Sequence, residues 1–458
     1  MFQVLGRLIL LFCLAAVGLG GPAIWRAEAA DPAAYRPLTG AEIILLGRGL
    51  LAQGRLDEAE TLYQALLRSG HELDYRLEAA FQLGQILLAR GQFRQAALHF
   101  NAILNLRPDL ARVRLELARA YFLDHNYKDA AFQFELVKGG ELPPEVLAKV
   151  DAFLEAIRRQ KDWSVSFHLN PVADSNLNQA SGEREECLDV IGLHLCRPLE
   201  KKVKGYGLAA GTQIDYFKRL GPDWGLKAGL GFSALEYERD TYDDYSLFLA
   251  LGPRRIWESG EASLQPIFRQ RWVAGQEYSR ETGLRLEARQ IFGRLVLDGG
   301  GSYGRLRYAE DFIDDLLRGP VWGWNMRPRY ILNDRTFIQT GLDFLREEAR
   351  EEIFANDNWR YALGIYRAFP YGLGLYLEGS LTQTNYKAEN WFVTRENGIG
   401  VNRRRDETRG LQAVLSSSLW EKYNLTPTLS YAFADRRSNI WSREYQRHRL
   451  SLLFEFKY

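Results

Sequence analysis

At the stretch Trp163 to Ala180, WSVSFHLNPVADSNLNQA, the chain changes the period of its hydrophobic pattern. Before it, apolar residues recur at helical spacing. After it, as far as Tyr458, they alternate with period two, and Gly, aromatic and turn residues interrupt them roughly every 10 to 15 positions. Such a switch predicts two units, a helical array followed by a long all-β part. The 458 residues are too many for one ordinary domain and match that division.

Charge narrows the partners. The 59 Lys+Arg nearly cancel the 58 Asp+Glu, so no bulk positive field points to nucleic acid. With 26% of residues charged, the chain does not read as a helical membrane protein. Residues 1–29 read as an export signal, with Arg7 ahead of an apolar core from Leu8 to Gly20 and small residues at Ala27 and Ala29. The alternative is an N-terminal anchor helix, for which the apolar core is short. Export removes Cys13 and leaves Cys187 and Cys196, nine apart, which in an oxidising compartment read as a disulfide. Zinc ligation through these cysteines and His194 is the weaker reading, because a fourth ligand is missing.

Residues 40 to 160 form the helical unit, and residues 40 to 140 within it contain a repeat. When Leu46-Gly47, Leu83-Gly84 and Leu117-Ala118 are aligned, further columns fall together: Leu50, Leu87 and Tyr121; Ala59, Ala96 and Ala130; Tyr63, Phe100 and Phe134. This pattern resembles the tetratricopeptide repeat, in which small residues let two antiparallel helices approach and a large aromatic fills the gap. Leu147 to Gln160 would cap the array. Solenoids of this kind bind an extended partner along the face made by the first helix of each repeat. In this register the candidates are Arg48, Glu78, Phe81, Gln85, Arg112 and Arg119.

From residue 161 onward about fourteen strand-like segments are joined alternately by short turns and longer polar loops. The turns fall near 220–223, 259–260, 292–293, 333–334, 370–372 and 421–423. The loops fall at 174–203, 239–244, 276–279, 309–318, 348–357, 388–405 and 437–444. Short turns on one side and long loops on the other predict a transmembrane antiparallel β-barrel of the outer-membrane type. In the last strand Leu450, Leu452, Phe454, Phe456 and Tyr458 share a face opposite Arg449, Ser451, Glu455 and Lys457. A soluble sandwich or propeller would also alternate. Trp163, Trp224, Trp257 and Trp420, with Phe369, Tyr371 and Tyr423, decide for the membrane, because they lie at the short-turn ends where an interfacial girdle belongs. Even strand number then puts the helical unit and the C-terminus on the periplasmic side.

No catalytic, cofactor or metal motif rises above background. Gly299-Gly300-Gly301 lies in a strand pattern, and the six His are scattered. An enzyme whose groups meet only in space stays open as an alternative.

Two stretches carry a family resemblance. Asn170-Pro171-Val172-Ala173-Asp174-Ser175-Asn176-Leu177-Asn178, and Arg404-Arg405-Asp406-Glu407-Thr408 with Ser438-Asn439-Ile440, resemble the surface lipoprotein assembly modifier (Slam) family. The resemblance implies a signal peptide, periplasmic tetratricopeptide repeats and a fourteen-stranded outer-membrane barrel in a Gram-negative bacterium. It also implies translocon-like help for a client, either a surface lipoprotein or a small secreted protein of the hemophilin kind. Asp174, Ser175, Asn176 and Asn178 are the family motif where the barrel begins; their physics alone would make a well-capped strand end. Outer-membrane lipid, the barrel assembly machinery and periplasmic chaperones are the other expected partners, with no cofactor. The rival readings are an exopolysaccharide exporter, with Arg269, Arg271, Arg285 and Arg289 in the lumen, and a passive porin. Glu287 and Glu378 on comparable faces make the lumen mixed in charge.

Overall fold

The computed structural model describes residues 37–160, 163–181, 185–190, 193–394, 398–420 and 425–457. The expected export signal and the aromatic positions Tyr423 and Tyr458 lie outside the described residues.

Among the described residues three helix pairs come first: α1 (Gly40–Ala52) with α2 (Leu56–Arg68), α3 (Leu73–Ala89) with α4 (Phe93–Leu106), and α5 (Ala111–Leu123) with α6 (Tyr127–Val137). The helix α7 (Pro144–Gln160) follows. A capping box starts α1, with the Glu42 amide donating to Thr39 Oγ1 at 3.3 Å and the Thr39 amide donating to Glu42 Oε2 at 2.8 Å.

The aligned columns are the packing. Ala59, Ala96 and Ala130 are fully buried, and so are Tyr63, Phe100 and Phe134. A Cβ on Gly47 would come within 2.4 Å of the Tyr63 ring, and one on Gly84 within 2.5 Å of the Phe100 ring. Each small residue thus makes the space its aromatic occupies. One column escaped the sequence reading. The turns inside the pairs carry Gly54 (φ 74°), Gly91 (φ 75°) and, in the third, His125 (φ 60°), where a side chain accepts left-handed backbone.

The strands close a barrel of fourteen: β1 (Trp163–Asp174), β4 (Gly205–Arg219), β5 (Trp224–Tyr237), β6 (Asp244–Trp257), β7 (Gly260–Val273), β8 (Gln276–Phe292), β9 (Leu295–Tyr308), β10 (Gly319–Asn333), β11 (Thr336–Glu347), β12 (Asn356–Phe369), β13 (Leu373–Thr394), β14 (Gly398–Ser417), β15 (Leu425–Ser438) and β16 (Tyr445–Lys457). Each strand pairs antiparallel with its neighbours in sequence, and β1 closes the ring on β16. The first long loop holds a separate hairpin, β2 (Glu185–Val190) with β3 (Leu193–Pro198), whose register sets Cys187 opposite Cys196. A short helix α8 (Asp311–Leu317) sits in the loop between β9 and β10.

Cross-strand register gives every strand one outward and one inward row. Trp163, Val165 and Phe167 on β1, Tyr206 and Leu208 on β4, and Leu226, Leu230 and Phe232 on β5 are exposed on the outside, as a lipid-facing band requires. The face expected for β16 holds, with Leu450 opposite Tyr431 and Leu452 opposite Leu429. Trp163, Trp224 and Trp420 are exposed at the short-turn end, together with Phe369 and Tyr371.

Two expected loops are different. Residues 276–279 belong to β8, and the connection is the two-residue turn Ala274-Gly275, both left-handed (φ 52° and 75°), as a tight hairpin demands. Residues 388–405 are mostly paired strand: β13 and β14 continue outward past a register shift between Asn385 and Glu389, because their backbones still satisfy one another there.

Candidate functional site

The helical unit does not hang free; its C-terminal half rests on the short-turn end of the barrel. Arg159 donates to the Pro222 carbonyl and pairs with Asp223 at 3.3 Å in the β4–β5 turn. Arg158 donates to the Glu258 carbonyl in the β6–β7 turn, and Arg294 in the β8–β9 turn donates to the Gly140 carbonyl at 3.2 Å. Gly139 touches the backbone at Asn333, at the start of the β10–β11 turn, where a Cβ would come within 2.6 Å. Asn105 accepts from the Tyr371 amide in the β12–β13 turn, and its side chain accepts from Ser418 Oγ at 3.0 Å just past β14. All six short connections are therefore engaged by α4, α7 and the segment after α6.

Helix α6 goes deepest. Phe132 and Leu136 pack against Ile331, Phe337 and Tyr366 on the inner wall, with Phe132 and Tyr366 ring centroids 5.7 Å apart. Beside them the Glu135 carboxylate bridges Arg289 of β8 and Arg329 of β10, the latter at 3.3 Å. Its side chain is only 5% exposed. Asp298 of β9 backs both arginines, at 3.6 and 3.4 Å. Nothing in the residue pattern singled out Glu135. Its one signal is a charge between Phe134 and Leu136, both buried.

The junction is charged as much as apolar, and its polar groups are incompletely matched. Arg114 donates to Gln133 at 2.7 Å and to the Pro108 carbonyl at 2.8 Å, while its Nε has no partner. Arg158 Nε, Arg329 Nε and Asp334 Oδ2 are likewise buried and unsatisfied. Burial lowers the pKa of Arg114 and of Arg158, against nearby carboxylates, and raises that of the Asp334 carboxyl. Each such group would regain solvation if the surfaces parted, so these groups oppose the contact that the ion pairs and the apolar packing hold.

Above this cap the lumen is lined by paired charge. Arg269 meets Glu281 at 2.8 Å, Arg271 meets Asp244 at 2.6 Å, and Lys227 meets Glu287 at 2.7 Å. Arg285 pairs with the same Glu287, and Arg360 with Glu378. The four arginines considered for a polyanion track thus each face a carboxylate. They border a cavity of about 820 Å³ inside the barrel.

The motif residues lie at the opposite end and hold the barrel shut. Asp174, its side chain fully buried, receives Arg447 of β16 at 2.6 and 2.9 Å. The Ser175 amide donates to the His448 carbonyl at 3.0 Å, and Ser175 Oγ accepts from the His448 amide at 2.8 Å. Asn176 Nδ2 donates to the Gln446 and Ala180 carbonyls at 3.1 and 2.9 Å. Asn178 ties in the loop at Val203 and Lys201. The second motif does the same between β14 and β15. Asp406 takes Arg404 at 2.6 Å and Ser438 Oγ at 2.7 Å, and Asn439 accepts from the Arg405 amide at 2.8 Å. The β1–β16 seam needs such clasps: its register skips Asn170 and Pro171, and proline has no amide to donate.

The solenoid candidates lie on the first helices, as expected, and they meet each other. Arg48 pairs with Glu78 at 2.8 Å, and the Arg112 guanidinium lies 4.3 Å over the Phe81 ring. Phe81 is buried at 4% exposed beneath it, so Arg112 and not Phe81 presents the surface. Gln85 is half-buried, and Arg119 is exposed with Glu116 at 3.4 Å. Among the described residues no cluster of metal-ligating side chains occurs.

With this geometry in place, comparison with known proteins is specific. Residues 163–458 match the family described as surface lipoprotein assembly modifier. A protein of that name from Pasteurella multocida is 23% identical over 400 residues, covering 81% of this chain and 75% of the relative. Surface lipoprotein assembly modifier 1 of Neisseria meningitidis serogroup B is 25% identical over 401 residues, covering 83% and 75%. A hemophilin secretion modulator of Acinetobacter baumannii is 21% identical over 406 residues, covering 82% and 78%.

Proposed function

The chain belongs to the surface lipoprotein assembly modifier family, outer-membrane proteins of Gram-negative bacteria, and we propose that it passes particular client proteins across that membrane. Clients would be surface lipoproteins or small secreted proteins of the hemophilin kind, after the names its relatives carry. The observation that carries this reading is the helical unit seated across the short-turn mouth of a closed barrel. Whatever enters from that side must first meet the solenoid.

In this reading the solenoid captures an incompletely folded client along Arg48, Glu78, Gln85, Arg112 and Arg119, a surface with more arginine than carboxylate, suited to a segment that carries acidic residues. Client binding then displaces α6 from the mouth, and the lumen, its charges already neutralised, offers a polar path without a strong trap for either sign. The chain acts as a transport factor and not as an enzyme. Client folding outside supplies the free energy, since folded product cannot return. Residues 1–29 direct export and are removed.

The test is surface display of a lipoprotein client in a reporter bacterium, scored by protease shaving of intact cells. Deleting residues 40–160 is expected to abolish display while the barrel still inserts. Normal display without them overturns the division of labour. Reversing charge at Arg48 and Arg112 together should weaken display without touching insertion.

A further inference from the structure

The outer wall of the barrel carries a feature that neither the cap nor the lumen uses. On the membrane-facing side of β7 to β10, a groove of about 500 Å³ is walled by Leu264, Leu284, Leu286, Tyr303 and Trp322. Its floor is Gly301, which stands in register between Leu286 of β8 and Trp324 of β10 and lacks the side chain that would fill it. A Cβ there would meet nothing closer than the Gly323 carbonyl at 3.4 Å, so the space is open above the backbone.

The same outward row of β9 continues from Tyr303 to Arg305 and Arg307, toward the end away from the helical cap. Arg280 of β8 stands directly opposite Arg307. Arg305 and Arg307 are exposed and have no side-chain partner among the described residues. Arg280 is held by Gln270 at 3.1 Å and by the Glu277 carboxylate at 3.2 Å. On β11, by contrast, Arg346 takes Asp357 at 2.6 Å. Like charges directly across a strand pair repel; Glu277 offsets Arg280, whereas Arg305 and Arg307 have no such partner, so an anion beside these two relieves the repulsion. Strand geometry places the three guanidinium stems within a patch about 7 Å across.

An apolar groove at acyl-chain depth, topped by unpaired arginines at headgroup level, matches one kind of molecule. We propose that it binds a phosphorylated acyl glycolipid of the outer leaflet, of the lipid A class. Acyl chain lies along Gly301 between Leu284, Leu286 and Trp322, and phosphate is gripped by Arg305, Arg307 and Arg280, whose planar donors suit its oxygens. The position fits the leaflet, because the cap marks the opposite end as periplasmic.

The full chain, purified in detergent, is tested with bis-phosphorylated lipid A, its dephosphorylated counterpart and inorganic phosphate, by native mass spectrometry and by thermal unfolding. One lipid A is expected to be retained and to raise the unfolding temperature. The double variant Arg305→Gln, Arg307→Gln should weaken retention by about tenfold or more, since two charge-assisted contacts are lost. Gly301→Leu, which keeps every charge, should weaken it by filling the groove. Heat-modifiable migration on gels verifies that both variants remain folded barrels. Retention unchanged in both variants overturns the site. So does equal binding of the dephosphorylated lipid, which would mean simple apolar partition, or full displacement of the lipid by inorganic phosphate, which would mean an ion site.

Discussion

Replacing Glu135 by Gln should loosen the cap. In the native protein its carboxylate, 5% exposed, neutralises Arg289 and Arg329, whose side chains are 32% and 17% exposed. Breaking a buried pair by removing one partner costs about 3–5 kcal/mol. Asp298 stays 3.6 Å from Arg289 and 3.4 Å from Arg329 and retains part of the neutralisation, which brings the loss to about 2–3 kcal/mol. At about 1.4 kcal/mol per decade, the population with α6 lifted off rises about 30- to 150-fold. Two readouts follow: faster amide exchange in α6 and in the segment 138–140, and more frequent openings of the full chain in planar bilayers. Glu145→Gln on the exposed side of α7 is the control. If Glu135→Gln exchanges and conducts like the native chain, Glu135 is not what holds the mouth closed, and the cap reasoning fails.

Asp174→Asn should lower the thermal stability of the barrel by about 3 kcal/mol, because the charge of Arg447 at the β1–β16 seam loses its buried counterion; gel mobility after stepwise heating measures it, and an unshifted transition contradicts the clasp. Gly84→Val forces a side chain within 2.5 Å of the Phe100 ring and should cost about 1–3 kcal/mol or more, seen as an earlier helical melt with the barrel transition unchanged. Burial raises the Asp334 carboxyl pKa in the folded chain, Arg114 and Arg335 opposing. Stability from that proton is therefore present at acid pH and falls as pH rises above the ordinary carboxylate range. Asp334→Asn should flatten this dependence, measured by α6 exchange across acid to neutral pH; an unchanged slope contradicts it. Cys187 and Cys196 face each other in the β2–β3 register and should resist maleimide labelling until a reductant is added, whereas two freely labelled thiols refute the pairing.

How much of this was legible depends on whether a feature is local. The helix pairs were readable because one small-residue column and one aromatic column, sixteen positions apart, must meet in any antiparallel pair, and Gly47 with Tyr63 and Gly84 with Phe100 do so. The barrel was readable because a strand between lipid and water must alternate. The two misplaced loops show where local reading stops. Polar residues in 388–405 look like loop, yet with no membrane around them their backbones still gain by pairing, and only the partner strand reveals that. Ala274-Gly275 is a turn because both residues take left-handed backbone, which Gly invites and Ala merely tolerates.

The sequence by itself determined the two units, their order, the inward and outward rows of the strands and the family, because each follows from periodicity or from short contiguous motifs. Only the tertiary structure decided what those units do to one another. Glu135 reaches Arg289 and Arg329, Asp174 reaches Arg447, and Arg280 lies beside Arg307 through pairings that close over long separations in the chain. A charge acts on what lies within a few ångströms of it in space, and no period along the chain encodes which distant residue that will be.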